Sequence, residues 1–350
     1  MIKRVVWEAM GTEIELSVPS THISWSTVVQ KQFHQYELIF SRFIKDSELM
    51  RINSTLSTWQ TVSPTLWNVL FLADQAYHQT KGLFSPYLLD AIQYHGYDQS
   101  FNHISGTRRD DPSRQHDKAI ASIRQYARDH VVSSQDLPIL SDHSISDSPR
   151  SHPSIEPSST TPADPPLQFS LRPLAIKKKR DITIDLGGIA KGWAVQRIAN
   201  TLKIKGVPYG SLNAGGDLIV WNEKGGEPWV VEIEDPRIYL DTRLSAQMCS
   251  PLLTFSIHQG AVATSGTAKR RWIHQDTIKH HLIDPRTRMP SNTDVLQATI
   301  VGSSLVEAEV LAKISVILGQ QAGEAFLKDY ARRHARHLRW WLVTTTEEKD

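Results

Sequence analysis

The chain has 350 residues, of which 40% are hydrophobic, and its 39 basic and 37 acidic residues leave a formal net charge of +2. This length and composition allow a substantial core, in one large domain or in two smaller ones. The near-neutral charge argues against a nucleic-acid partner, which needs a basic stripe, and the single cysteine excludes both an internal disulfide framework and a cysteine-based zinc cage.

No targeting or membrane segment is predicted. The N-terminal residues contain no apolar core of signal-peptide length before Glu8 and no lipobox. No apolar run approaches the roughly 20 residues that a membrane helix needs. The sequence therefore predicts a soluble, cytoplasmic protein with no membrane insertion.

The first hundred residues combine a hairpin with amphipathic helices. Residues 5–18 predict a β-hairpin that bends at Gly11. Apolar residues at helical spacing and capping signals predict helices at 24–40, after Asp46 or Ser47, and from Ser63 and Pro64 onward. The closely spaced glycine, aromatic and proline residues of 82–98 predict an ordered, turn-rich segment.

A change in composition divides the chain. Between residues 141 and 165, 13 of 25 residues are serine or proline, and such a stretch cannot bury enough apolar surface to offset its ordering entropy. We therefore predict that residues 1–102 and 169–350 together form one domain. Residues 103–168 are predicted to be a largely disordered insertion within it.

The most informative stretch runs from 181 to 217. The β-branched residues at 182–184, the carboxylate of Asp185, two glycines and a helical apolar series predict a strand, a glycine-rich turn and a helix that ends near Gly206. Such a turn before a helix N-terminus, with Lys191 in the first helical turn, is typical of an anion-binding site. A tight turn with a surface lysine is the alternative, and the glycine pattern alone leaves both open.

Strands dominate the second half of the chain. Two hairpins are predicted, one from residues 218–221 with 229–233 and one from 253–257 with 261–265. A strand at 296–301, a helix at 304–318 and a strand at 337–345 complete the predicted elements. Strands outnumber helices and do not alternate regularly with them. This favours an α+β fold with a mixed or antiparallel sheet over a doubly wound parallel sheet.

Eight motifs in chain order resemble the ApbE-type flavin transferases, which are FAD:protein FMN transferases. They are residues 10–12, 40–43 with 46–48 and Asn53, 82–86, 185–192, 213–217, 263–266, 281–287, and the helix that holds Glu309 and Lys313. The resemblance implies a single ApbE-like domain that binds FAD with Mg²⁺ and cleaves its pyrophosphate. It further implies transfer of the FMN half to a Ser or Thr hydroxyl of a target flavoprotein, with release of AMP.

The resemblance also implies roles for individual residues. Those that would line the flavin are Met10, Phe43, Leu83, Phe84 and Ser85. Asp185, Lys191 and His281 would contact FAD, and His281 and Lys191 would be catalytic. Imidazole titrates near neutral pH, so His281 would serve as the base for the incoming hydroxyl. A packed histidine before a turn is the alternative for His281.

The chain departs from the common family pattern in three places, at four residues. The implied metal position combines the Gly188 carbonyl with Glu309 and Lys313, where most members carry Asp and Thr. Glu309 and Lys313 would form either a surface ion pair worth about 0.3–0.5 kcal/mol, or a site in which Glu309 binds Mg²⁺ and Lys313 contacts phosphate. Arg288 replaces a usual glycine, and Phe43 replaces a tyrosine found in some members. An FAD-binding protein without transfer activity and an FAD pyrophosphatase that yields FMN and AMP therefore stay open as alternative functions.

Overall fold

The computed structural model describes residues 1–101, 104, 165–240 and 251–345. Within them, the helices are α1 (Trp25–Phe40), α2 (Glu48–Asn53), α3 (Pro64–Gln79), α4 (Leu89–Tyr94), α5 (Ala190–Ile204), α6 (Leu305–Leu318) and α7 (Gln320–Arg333). The strands are β1 (Ile2–Ala9), β2 (Thr12–Pro19), β3 (Gln60–Thr61), β4 (Leu167–Leu171), β5 (Leu174–Lys178), β6 (Gly210–Ala214), β7 (Asp217–Trp221), β8 (Trp229–Ile233), β9 (Leu253–Ile257), β10 (Gly260–Gly266), β11 (Arg271–His274), β12 (Thr277–His280), β13 (Ile283–Asp284), β14 (Met289–Pro290), β15 (Val295–Gly302) and β16 (Arg339–Thr344).

Seven strands form the central sheet, in the order β1-β2-β6-β7-β10-β15-β16. Every neighbouring pair in it is antiparallel. Helix α5 packs against β6 and β7, and helix α6 packs against β10 and β15. The predicted α+β fold is confirmed, and both helices that carry predicted site residues lie against the middle of the sheet.

Local signals placed the helix ends correctly. Of the two cap candidates Asp46 and Ser47, it is Ser47 that caps α2, and the predicted helix starts at Ser63 and Ser304 are caps as well. Each of these serines accepts a hydrogen bond from a backbone N–H in the first turn of the helix that follows. Gly206 and Gly319 follow α5 and α6 with φ angles of +83° and +81°, which a glycine adopts without strain. Helix α7 is not among the predicted elements.

The two hairpins predicted after residue 217 are wrong in their pairing. Strand β8 pairs with β9 in a separate two-stranded sheet, whereas β10 pairs with β7 and β15 in the central sheet. Strands β7, β8, β10 and β15 have buried apolar residues, and β9 has half-buried ones. The buried residues of β8 pack against those of β10 and β15. Alternation therefore identifies the strands but cannot show which of them are neighbours.

The strand predicted at 182–184 is also wrong. The backbone of Ile184 pairs with a side chain instead: Asn53 Nδ2 donates to the Ile184 carbonyl oxygen at 2.9 Å, and the Ile184 N–H donates to Asn53 Oδ1 at 2.7 Å. The Asp185 N–H donates to the Pro86 carbonyl oxygen at 2.8 Å. An amide side chain thus takes the place of a neighbouring strand and holds Asp185 beside the segment 82–86.

Most of the predicted insertion, residues 103 and 105–164, lies outside the described residues. Strand β4 begins at Leu167, one residue before the predicted end of the insertion. Of the helices that the structure describes, none has the length and apolar character needed to cross a membrane.

Candidate active site

One cleft gathers residues that are far apart in the sequence. It lies at the start of helix α5 and is closed on one side by helix α6. The predicted site residues that line it are Met10, Phe43, Leu83, Phe84, Ser85, Asp185, Gly188, Lys191, His281 and Lys313. Glu309 lies behind this lining and contacts both Lys191 and Lys313. The fold therefore brings the predicted site residues together around one cleft.

An aromatic and cationic wall forms one side of the cleft. The Arg42 guanidinium lies 4.3 Å from the ring centres of both Phe43 and Tyr97. Its Nη1 donates to the Tyr97 carbonyl oxygen at 2.6 Å, and its Nε lies 3.3 Å from Asp185 Oδ1. Phe43 is 36% exposed, so this wall offers an aromatic surface on which a planar ring can stack. Arg42 was missed as a site residue, although it lies inside the motif at 40–43.

Lys191 lies in a buried cluster of charges rather than on the surface. Its Nζ donates to Asp217 Oδ2 at 2.5 Å and to Glu309 Oε1 at 2.8 Å. The side chain of Lys191 is 17% exposed, and those of the two carboxylates are nearly inaccessible. The surface-lysine alternative is therefore wrong. Asp217 was missed as a site residue, although it ends the predicted glycine-rich turn at 213–217.

The opposite charges in this cluster offset part of the cost of burying one another. Burial opposes the charge on Lys191, but the carboxylates of Asp217 and Glu309 raise the pKa of Lys191 above its usual range. Burial likewise opposes the charge on Glu309, but Lys191 and Lys313 lower its pKa. Burial raises the pKa of Asp217 to about 6, although Lys191 opposes this shift. Removing any one of these charges would leave a partner uncompensated in a dry environment.

The three residues predicted for magnesium come together but do not fit that ion. Lys313 Nζ lies 3.4 Å from the Gly188 carbonyl oxygen and 3.9 Å from Glu309 Oε1. Magnesium needs oxygen ligands at about 2.0–2.1 Å, and an ammonium group has only donors. Both Glu309 oxygens are engaged, Oε1 by Lys191 and Oε2 by the Gly192 N–H. Across the described ranges, no three His, Cys, Asp or Glu residues are grouped as metal ligands.

Glu309 and Lys313 are also not a surface pair. The side chain of Glu309 is 1% exposed and that of Lys313 is 18% exposed. A Cβ on Gly188 would lie 3.4 Å from Lys313 Cε. The lysine stem therefore packs against the backbone before helix α5, and Lys313 lines the cleft.

His281 lines the cleft as a neutral imidazole. Burial, together with the positive charges of Arg270 and Lys313, holds its pKa well below the ordinary value of 6.5. Its Nδ1 atom is buried, and no residue in the part of the chain described here makes a hydrogen bond to it. A neutral imidazole can accept a proton near neutral pH, which a general base requires.

The segment after His281 keeps a left-handed turn despite the loss of the usual glycine. Arg288 has a φ angle of +61°, and its N–H donates to the Asp284 carbonyl oxygen at 2.7 Å. His95 Nε2 lies 3.0 Å from the Arg288 carbonyl oxygen. The substitution therefore leaves the turn in place, at the strain expected of a non-glycine residue in this conformation.

We expect Gly192→Ala to destabilise the protein by about 1–3 kcal/mol, because the site is already filled. A Cβ at Gly192 would lie 2.6 Å from Glu309 Oε2 and 3.3 Å from the Leu305 carbonyl oxygen. In an open helix the same change stabilises by about 0.5–1 kcal/mol, so the sign of the effect is diagnostic. Urea unfolding measures it, with Asn200→Ala on the exposed side of α5 as the control. A stabilised Gly192→Ala variant would contradict the packing described here.

Comparison with known proteins places the chain beside one family. A family model described as "ApbE family" matches residues 10–336. A protein named FAD:protein FMN transferase from Vibrio cholerae is 31% identical over 147 residues, which is 41% of this chain and 41% of that protein. One of the same name from Treponema pallidum is 29% identical over 157 residues, which is 42% of this chain and 41% of that protein. The matched segments thus span about two fifths of these relatives.

Solved structures match over nearly the whole chain. An ApbE protein from Thermotoga maritima superposes with a TM-score of 0.69 at 21% identity, covering 98% of this chain and 94% of that one. The flavin transferase ApbE from Vibrio cholerae superposes with a TM-score of 0.65 at 21% identity, covering 99% of this chain and 95% of that one. At this level of identity the structures show that the fold is shared.

Proposed function

The chain belongs to the ApbE family, and from this we propose that it transfers FMN from FAD to a Ser or Thr hydroxyl of a target flavoprotein and releases AMP. The observation that carries the proposal is the single cleft in which an aromatic wall meets a cationic end. Phe43 and Met10 line one part of it, and Lys191 and Lys313 line the other. A dinucleotide with a flat ring and a charged pyrophosphate has the same two chemical ends.

The cationic end of the cleft suits a pyrophosphate. Residues Gly187 and Gly188 lead into the N-terminus of helix α5, where backbone N–H groups and the helix dipole favour an anion. Lys313 and Arg270 also line the cleft and add positive charge. Phosphoryl transfer depends mainly on positioning and on neutralising charge at the phosphate oxygens, and these groups supply both.

The proposed reaction needs a base and a leaving group. The oxygen of the acceptor hydroxyl attacks the phosphorus of the FMN half, and its proton passes to the neutral imidazole of His281. The bond between that phosphorus and the bridging oxygen breaks, and AMP leaves with the electron pair. No step of this reaction involves the predicted magnesium ion, because Gly188, Glu309 and Lys313 do not form a suitable set of ligands.

An assay of AMP release separates this proposal from the two alternatives. The full chain is incubated with FAD and a threonine-containing acceptor peptide, and both AMP and peptide-bound flavin are measured. The same peptide with its threonine replaced by alanine is the control. Flavin bound to the threonine peptide but not to the alanine peptide supports transfer. Free FMN and AMP with either peptide would indicate a pyrophosphatase. FAD binding without AMP in any condition would indicate a flavin-binding protein.

We further propose that residues 105–164 are dispensable for the flavin transferase domain. The described residues on both sides of them supply the cleft lining, from Met10 to Phe101 and from Asp185 to Ile317. Replacing 105–164 by a short Gly/Ser linker is therefore expected to leave thermal stability and FAD affinity unchanged, because loop length alters closure entropy only slowly. Calorimetry and flavin fluorescence measure the two quantities. A large fall in the melting temperature would contradict the proposed domain boundaries.

The cytoplasmic location of the protein stays a prediction.

A further inference from the structure

Two lysines lie at the cationic end of the cleft, and their surroundings differ. Lys191 Nζ is held by Asp217 at 2.5 Å and by Glu309 at 2.8 Å. Lys313 Nζ has a carbonyl oxygen at 3.4 Å and a carboxylate oxygen at 3.9 Å, both beyond the usual 2.7–3.2 Å range for N–H···O bonds. Lys191 is therefore committed to the protein, while Lys313 has donors available for a ligand oxygen.

The stem of Lys313 packs against the backbone at Gly188. A Cβ built there would lie 3.4 Å from Cε and 3.5 Å from Cδ, which is ordinary van der Waals contact. Its ammonium faces the cleft at the start of helix α5, next to the glycines that lead into that helix. Glu309 balances it from behind without closing over it, because that carboxylate is already bonded to Lys191 and Gly192.

We propose that the Lys313 ammonium is the resident cation of this cleft: it contacts the pyrophosphate of FAD directly, and FAD binding and cleavage need no bound Mg²⁺. This inference rests on the proposed function for the identity of the ligand. It follows from the donor set, since the position that would hold a divalent ion is occupied by an ammonium group, which has no lone pair for a metal and whose positive charge repels one. A compact ammonium on a flexible stem can follow the phosphate oxygens as the bond breaks.

The first test is the metal dependence of FAD binding, measured by quenching of flavin fluorescence. The full wild-type chain is titrated with FAD in excess EDTA and in excess MgCl₂ at equal ionic strength. We expect affinities within about twofold of each other, since no protein–metal interaction is lost. An affinity that falls tenfold or more in EDTA and returns with Mg²⁺ would overturn the proposal.

The second test removes the ammonium. Lys313→Met keeps most of the stem, and we expect FAD affinity in EDTA to fall about 10- to 100-fold, the loss expected for a hydrogen bond to a charged group. Lys313→Arg should retain most of the affinity because it retains the charge. Lys328→Met is the matched control, because it removes a lysine from the exposed side of α7, where its partner is Glu324. An unchanged affinity in folded Lys313→Met would overturn the proposal, and if that variant does not fold, the wild-type comparison still decides.

The third test asks whether a metal site can be restored. Glu309→Asp combined with Lys313→Thr places oxygen ligands where the family resemblance has Asp and Thr. Calorimetric titration of MgCl₂ into this FAD-bound variant should show binding that the FAD-bound wild type lacks. Binding of Mg²⁺ to the wild-type complex at this position would overturn the proposal. The absence of AMP release with either peptide would contradict the proposed function instead. The measured effects on FAD binding would remain valid.

Discussion

Replacing Lys191 by methionine is expected to lower the free energy of unfolding by about 3–5 kcal/mol, the loss typical when one partner of a buried ion pair is removed. Asp217 and Glu309 both bond to Lys191 Nζ, and both are buried. Without that ammonium, two carboxylates would share the more distant charge of Lys313. Urea denaturation of wild type and variant measures the loss, provided that the slope with denaturant is unchanged.

A double variant tests whether the loss arises from charge rather than from packing. Lys191→Met with Asp217→Asn removes one uncompensated carboxylate, so it should recover part of the stability of the single variant. Lys328→Met is the control for an exposed pair, since the Lys328 and Glu324 side chains are 65% and 38% exposed. The control should lose less than about 0.5 kcal/mol. A loss of that small size for Lys191→Met would show that water screens the cluster.

The second large effect is expected at His281. Replacing it by glutamine should slow FMN transfer by about 10²- to 10⁴-fold, the usual contribution of a positioned general base. FAD affinity should change little, because the substitution removes a proton acceptor and leaves the cationic groups in place. Single-turnover measurement of AMP release separates the chemical step from binding.

A neighbouring histidine supplies the control for His281. His280 precedes it, does not line the cleft, and has its Nε2 2.9 Å from the Ser291 carbonyl oxygen. His280→Gln should perturb the same segment of backbone without removing the proposed base. Equal loss of transfer in both variants would mean that the segment, and not the imidazole of His281, carries the effect.

The pH dependence of transfer follows from the environment of His281. Burial lowers its pKa well below 6.5, with Arg270 and Lys313 adding to the shift. A base acts in its neutral form, so kcat/KM should stay level as the pH falls to 6.5 and decline only as it falls further, through the lowered pKa. His281→Gln should lose this acid limb. A decline of the wild-type value already above pH 6.5 would contradict the proposed role.

The helix ends that depend on neighbouring residues were predicted well from the sequence. Serine caps at Ser47 and Ser63 and the glycine that follows α5 depend on residues within a few positions of each other. The ordered motifs are informative for another reason: six of the eight contribute residues to the cleft, so their shared resemblance to one family links residues as distant as Met10 and Lys313.

Long-range pairing is what the sequence could not show. Asn53 and Ile184 are 131 positions apart, and no local pattern indicates that an amide side chain will replace a strand. The partner of Lys191 was missed for the same reason, since Asp217 reaches it from the start of β7. Nothing in the local sequence shows that the carboxylate of Asp217 is buried beside Lys191. This becomes visible only when the fold places the glycine-rich turn against helix α5.

The strand order of the central sheet also sets a delay between the synthesis of strand β2 and that of its partner strand β6. Strands β1 and β2 leave the ribosome first, but β2 pairs on its other side with β6, at residues 210–214. At about 5–20 residues per second, making the segment between them takes roughly 10–40 s. Throughout that interval the inner side chains of the hairpin, among them Ile14 and Leu16, have no second sheet neighbour. The length of the segment between β2 and β6 thus also sets how long one edge of the nascent hairpin stays without its partner strand.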